Sequence, residues 1–197
     1  MNYLIVGLGN PGEEYQNTRH NTGRMLVERF SKQKNFSEWK KSKKTKALES
    51  NGAVGKKKVT AILPETFMNK SGLAVQAYLK NKKEIERLVV LYDDMDLPLG
   101  KFKISFGRSS GGHRGVDSII KSLKTKDFVR VRVGVSPSSP SGKLKKPSGE
   151  KAVIDFILDK FKSNELEVLK KESKKICEAI EMIVVESHEK AMGEFNG

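Results

Sequence analysis

Two groups of residues in this sequence have types and spacing suited to chemistry. The first lies in Tyr3–Gly23, YLIVGLGNPGEEYQNTRHNTG, where Asn10, Tyr15, His20 and Asn21 share one polar stretch. The chain has only three histidines, and His20 stands among amides. The second follows the apolar run LVVLY at 88–92 and consists of Asp93, Asp94 and Asp96. A neutral imidazole, with an unperturbed pKa near ~6.5, can take a proton from water, while a carboxylate fixes its tautomer and stabilises the imidazolium. Asparagine amides can hold a carbonyl and a developing oxyanion. Together they would hydrolyse an activated ester without a covalent intermediate. The carboxylates could also serve a metal, with His20 and His113 as the further ligands. That reading is less favoured, and no metal is expected. No G-x-S-x-G elbow, H-E-x-x-H, C-x-x-C or P-loop is present.

Positioning these groups requires strands that end in polar loops. Tyr3–Val6 is a short apolar run bounded by glycine and reads as a buried strand. Gly7-Leu8-Gly9-Asn10-Pro11-Gly12 is literally a G-x-G-x-x-G, but a dinucleotide fold needs a helix directly after it. Polar residues intervene instead, and the acidic residue expected further on falls near Glu28, inside a helical pattern, so a dinucleotide oxidoreductase is a distant alternative. That helix follows His20 and turns Leu26, Val27 and Phe30 to one face. Ala47–Ser50 and Val59–Leu63 read as strands around a turn at Asn51-Gly52. After Pro64, a helix is expected with Leu73, Ala77 and Tyr78 on one side and Asn69 as a possible N-cap. Leu88–Tyr92 and Lys101–Phe106 are strands. The loop 107–115 then leads into a helix with Val116, Ile119, Ile120 and Leu123 inward. Phe128–Val135 alternates and puts Arg130 and Arg132 on one face. The stretch 136–150, with three prolines and three lysines, is a mobile loop. Ala152–Phe161 is helical, and a last helix from Ser163 turns Leu166, Leu169, Ile176, Ile180 and Ile183 inward and frays past an exposed, inert His188. This order predicts one α/β domain over 1–197, a three-layer α/β/α sandwich with a mixed central sheet. The loops 9–21, 64–71, 93–96 and 107–115 would converge at one edge.

The chain of 197 residues carries 38 Lys+Arg against 24 Asp+Glu, a formal charge of +14, which argues for a polyanionic partner. KKSKKTK at 40–46 and KKK at 56–58 are either solvated surface or phosphate-attracting. The lone Cys177 falls in a helical pattern, fits a reducing compartment and reads as a packed thiol. With no apolar run of membrane-spanning length and no signal pattern, a cytoplasmic protein is expected.

Four motifs then give a specific resemblance: GLGNPGxxYxxTRHNTG at 7–23, TFMNxSG at 66–72, DDMDLPLG at 93–100 and SxGGHxG at 109–115. In order and extent they resemble the bacterial peptidyl-tRNA hydrolase family. The resemblance implies a monomer that cleaves the ester between peptide and tRNA, without a cofactor, and returns tRNA for reuse. By it, His20 is the general base on water, Asp93 orients it, and Asn10 senses the acylated amino group. Tyr15, Phe67, Met68 and Asn69 would line the groove for the peptide and the tRNA 3′ end. Arg132 would meet tRNA phosphate, and Lys103 is a further candidate for tRNA binding. Two departures stand out. Arg114 replaces the asparagine that follows GGH in the family; a guanidinium only donates, so it could clasp a phosphate but not orient water by accepting a bond. Ser105 stands where many relatives carry a basic residue. Related chloroplast splicing factors bind RNA without hydrolysis. The joint presence of His20, Asp93, Asn10 and Asn69 argues for the enzyme.

Overall fold

The computed structural model describes residues 2–79, 81–139 and 141–197. In chain order its elements are β1 (Asn2–Gly7), α1 (Thr22–Gln33), β2 (Lys40–Ser42), β3 (Ala47–Val54), β4 (Lys57–Pro64), α2 (Ser71–Gln76), α3 (Lys82–Ile85) and β5 (Leu88–Pro98). There follow β6 (Phe102–Phe106), α4 (Arg114–Leu123), β7 (Val129–Ser136), α5 (Glu150–Leu158), α6 (Ser163–Val185) and α7 (His188–Phe195). The strands form one sheet in the order β2-β3-β4-β1-β5-β7-β6. β4, β1, β5 and β7 are mutually parallel at its centre, and β2, β3 and β6 run antiparallel to their neighbours or flank them so. The sheet is mixed, as expected.

Strand alternation between two cores explains why β1 is apolar on both faces. Leu4 and Val6 face one core, with Ala74 and Val75 of α2 and Val116 and Ile119 of α4. Ile5 faces the other, with Leu26, Val27 and Phe30 of α1 and Ile176 and Ile180 of α6. Each central strand is therefore buried on both faces, the usual condition of parallel strands under helices. Among the described residues, no helix is long and apolar enough to cross a membrane.

Several local expectations are corrected. Asn51-Gly52 lies inside β3, and the hairpin turns at Gly55, whose φ is +55°. The glycine at 52 serves packing: a Cβ there would stand 2.1 Å from Cδ1 of the Phe36 ring. Asn69 sits in a 3₁₀ turn (Met68–Lys70), and Lys70 occupies the N-cap position of α2 without a side-chain bond. Within α2, Ala74 and Val75 point inward, whereas Leu73 is exposed, as is Ala77 just past the helix end. The acidic run is no loop, because β5 continues through it to Pro98. The last helix ends at Val185 rather than fraying past His188. Ser187 then caps a separate α7, accepting a bond from the Lys190 N–H at 3.3 Å. His188 stacks on Phe106, with centroids 4.7 Å apart. Among its described residues, the expected loop 136–150 has no helix or strand beyond Ser136 until α5 begins at Glu150, with Ser138 bridged to Leu144; its Pro140 lies outside the described residues.

Candidate active site

Parallel strands deliver their C-terminal ends to one side of the sheet, where open α/β folds carry their ligand sites. The ends of β1, β4 and β5 accordingly bring Asn10, Phe67–Asn69 and Asp93 together, and the loop before α4 adds His113. They line a cleft of about 1020 Å³. The approach of α1 to these strand ends requires Gly23, since a Cβ there would lie 2.1 Å from the Leu91 carbonyl oxygen. α1 starts only at Thr22, well past Gly12, so the Gly-rich turn does not run directly into a helix as a dinucleotide fingerprint requires.

Asp93 is the centre. Its carboxylate takes His20 Nδ1 at 3.0 and 3.1 Å from its two oxygens, and His113 Nε2 at 3.0 Å from Oδ1. His113 is also the N-cap of α4, where its Nδ1 accepts the Val116 N–H at 3.3 Å. That bond leaves the proton of a neutral His113 on Nε2, donated to Asp93. The same logic puts the His20 proton on Nδ1 and leaves Nε2 as a lone-pair acceptor in the cleft. Burial alone would push the Asp93 carboxyl up. The charge that His20 and His113 gain on protonation, with their N–H bonds, outweighs it and holds the group well below the usual carboxylate range.

Asn10 is fixed on three sides. The Asn21 amide accepts from its backbone N–H at 2.8 Å and donates to its carbonyl at 2.9 Å, while Asn10 Oδ1 accepts the Met68 N–H at 2.8 Å. Its side-chain oxygen is therefore engaged, and Nδ2 is the group it offers a ligand. Asn69 is exposed on the cleft wall, as is Phe67 at 58%. Tyr15 lies outside the wall, edge-on to Phe67 with centroids 6.4 Å apart. Lys103 and Arg132 are cross-strand neighbours on β6 and β7 at the far end of the cleft. Arg132 is tied to Asp94, Nε to Oδ2 at 2.6 Å, a bond that raises its pKa against the lowering effect of burial. Arg114, expected as an open anion-binding group, pairs with Glu150 at the start of α5 at 2.9 Å.

Three residues have supporting roles that the sequence reading did not give them. Arg19 is buried against Phe156 and Phe161 and bonds Asp159 and Glu165, pinning the His20 loop to α5 and α6. Arg130, fully buried, donates to the carbonyls of Arg108 and Ser109 and so ties down the loop that carries His113. His113 was weighed only as a metal ligand. The His20, Asp93 and His113 donor atoms do lie within 4.8 Å of one another, a set that could hold a metal ion. The same atoms are engaged with each other as N–H···O bonds, which accounts for the cluster without one.

Comparison with known proteins places the chain in a family. The peptidyl-tRNA hydrolase family model matches residues 4–197. The chain is 40% identical over 195 residues to a peptidyl-tRNA hydrolase of Carboxydothermus hydrogenoformans, covering 98% of both chains. It is 42% identical over 193 residues to one of Fervidobacterium nodosum, covering 98% of this chain and 95% of that protein. Among solved structures, the peptidyl-tRNA hydrolase of Acinetobacter baumannii superimposes with a TM-score of 0.87 at 28% identity, over 99% of this chain and 94% of that one.

Proposed function

The chain belongs to the peptidyl-tRNA hydrolase family of ester hydrolases, and from that premise we propose that it cleaves peptidyl-tRNA with a water activated by His20. The observation that carries this reading is the His20–Asp93 pair, which leaves Nε2 free in the cleft beside Asn10. Nε2 takes a proton from water as the oxygen bonds to the ester carbonyl carbon. Asp93 stabilises the imidazolium that forms. The tetrahedral oxyanion is met by amide donors, of which Asn69 is the exposed one. When the carbon–oxygen bond to the ribose breaks, the imidazolium returns its proton to the departing ribose oxygen. The products are a peptide acid and a free tRNA, which re-enters translation.

Asn10 supplies the discrimination. It offers an N–H donor, because its oxygen is held by Met68. An N-acylated substrate presents an amide carbonyl to that donor. A free aminoacyl-tRNA presents an ammonium, which can only donate, so the contact fails. Lys103 and Arg132 take phosphates on the tRNA side, and Phe67 and Met68, with Tyr15 at the rim, border the acyl group. The protein is expected to work as a cytoplasmic monomer.

The test compares N-acetylaminoacyl-tRNA with the same aminoacyl-tRNA left unblocked, scoring free tRNA. Release from the blocked form alone is expected. No release from it removes the proposed reaction, whereas equal release from both removes the assignment of Asn10.

A further inference from the structure

The cleft has two differently built ends, and the substrate has two differently built halves. Asp93 stands on β5. Two strand spacings to one side lies β6 with Lys103; two to the other lies β4, whose C-terminal extension carries Asn69 and Lys70. At about 4.8 Å per spacing, each end is about 10 Å from the reacting centre. If the RNA approaches from the Lys103–Arg132 end, the acyl group must leave past Asn69.

There a second groove of about 530 Å³ opens between α2 and α4, sharing Asn69 and Arg114 with the main cleft. The two helices approach closely, with the Gly72 N–H donating to Ser118 Oγ at 3.0 Å. Arg114, Lys46, Lys70 and Lys121 line this groove, with Asp117 as its one carboxylate. Asp117 is already used by Lys121 at 2.7 Å. Arg114 holds a carboxylate too, that of Glu150, whose side chain is 79% exposed at the start of α5. An exposed pair of this kind contributes little and is readily exchanged. Glu150 thus shows that a carboxylate can reach Arg114, and the weak pairing leaves it replaceable by another.

We propose that the groove lined by Arg114, Lys70, Lys46 and Lys121 is a peptide subsite that selects acidic side chains next to the esterified residue, with Glu150 holding Arg114 from the main-cleft side in the free protein. The inference rests on the hydrolytic reading above and names the substrate preference of that same site. It also gives the arginine that follows GGH a role no asparagine could fill, because an uncharged amide would not distinguish glutamate from glutamine by charge. Recognition of RNA phosphate by the same cations is the competing outcome.

The experiment uses N-acetylated peptidyl-tRNAs built on one tRNA and one esterified amino acid, carrying Glu, Gln or Lys at the two preceding positions. Their kcat/KM values are measured for the natural chain, Arg114→Gln and Glu150→Gln, beside equilibrium binding of deacylated tRNA. Glu over Lys is expected by about threefold to tenfold, the range of a partly exposed charge-assisted contact. That order should flatten in Arg114→Gln and sharpen in Glu150→Gln. Cleavage of all three substrates at one rate by the natural chain overturns the subsite while leaving the hydrolytic reading intact. Cleavage of none overturns both. If Arg114→Gln keeps the Glu-over-Lys order but weakens binding of deacylated tRNA, with a shallower salt dependence, the groove belongs to RNA and the proposal fails.

Discussion

Asp93 accepts from two histidines, and their positions assign them different work. His113 is held on both nitrogens, by Asp93 and by the Val116 N–H, so it has no lone pair left for substrate. His20 is held on one, so it is the histidine that the proposed mechanism takes as its base. His20→Ala is therefore expected to lower turnover by roughly 10²- to 10⁴-fold, with tRNA affinity little changed; near-native turnover of that variant would remove His20 from the mechanism. Asp93 also links the site to stability. Its folded-state pKa lies below the unfolded value, so its ionised form stabilises the fold above pH about 4 and that contribution is lost as the pH falls further towards the folded value. Asp93→Asn should give a protein with reduced turnover whose thermal midpoint declines less between pH 5 and pH 3 than that of the natural chain. Parallel declines in the two would show that the carboxylate gains nothing from its histidines in the fold. His20, Asp93 and Asn10 were legible in sequence because their residue types are informative alone and the motifs are contiguous. The second histidine of the set was not, because its contact with Asp93 joins residues twenty apart through a loop and a helix cap.

At the scale of elements, the loops are only as good as what anchors them. Arg130 sits on a strand whose alternation correctly paired it with Arg132 on one face, yet the two have different fates. Arg130 is buried, stacked 5.4 Å from the Phe128 ring centroid, and spends its guanidinium on the Arg108 and Ser109 carbonyls. Periodicity reports a face; it does not report whether a loop folds over that face. Arg130→Met should leave both carbonyls without their donor, at a cost of about 1.5–3 kcal/mol for each charged hydrogen bond lost. Faster amide hydrogen exchange confined to residues 107–115, with lower turnover through a displaced His113, is the expected outcome. Unchanged exchange there would mean that the loop is held by other contacts. The same limit explains the turn misplaced at Asn51-Gly52, where the glycine admits the Phe36 ring, a contact between residues 36 and 52 that no local pattern records. It also explains α7. The expected frayed end is a capped helix leading to Asn196, which pairs with the backbone N–H and carbonyl of Ile104 on the sheet's edge strand, at 2.7 and 2.9 Å. An edge strand left bare invites association, and here one amide covers part of it.

For the whole molecule, the surplus of +14 has a geography that composition alone cannot give. The start of β3, Ala47, pairs with Pro64 at the end of β4, so the β2–β3 turn carrying Lys43, Lys44 and Lys46 lies at the active-site end of the sheet. The β3–β4 hairpin at Gly55, followed by Lys56, Lys57 and Lys58, lies at the opposite end. At the site, Arg132 is partly neutralised by Asp94 and Lys146 by Asp96, at 2.6 and 2.5 Å, whereas Lys103 is exposed beside Arg132 with no carboxylate partner among the described residues. Binding of tRNA should therefore weaken steeply with salt, each phosphate contact adding about 0.7–0.9 to the slope of log K against log salt. Lys103→Glu should reduce that slope by about one such contact, and Arg132→Glu should do so by less, because Asp94 already offsets the natural guanidinium. Simultaneous neutralisation of Lys56, Lys57 and Lys58 should leave the slope where it was, since a charge at the far end of the sheet is separated from the bound phosphates by well over the Debye length of about 8–10 Å. Equal losses of slope in the Lys103 and Lys56–Lys58 variants would mean that the RNA wraps around the sheet to its other end, and the placement of the tRNA body along the β6–β7 side would have to be abandoned.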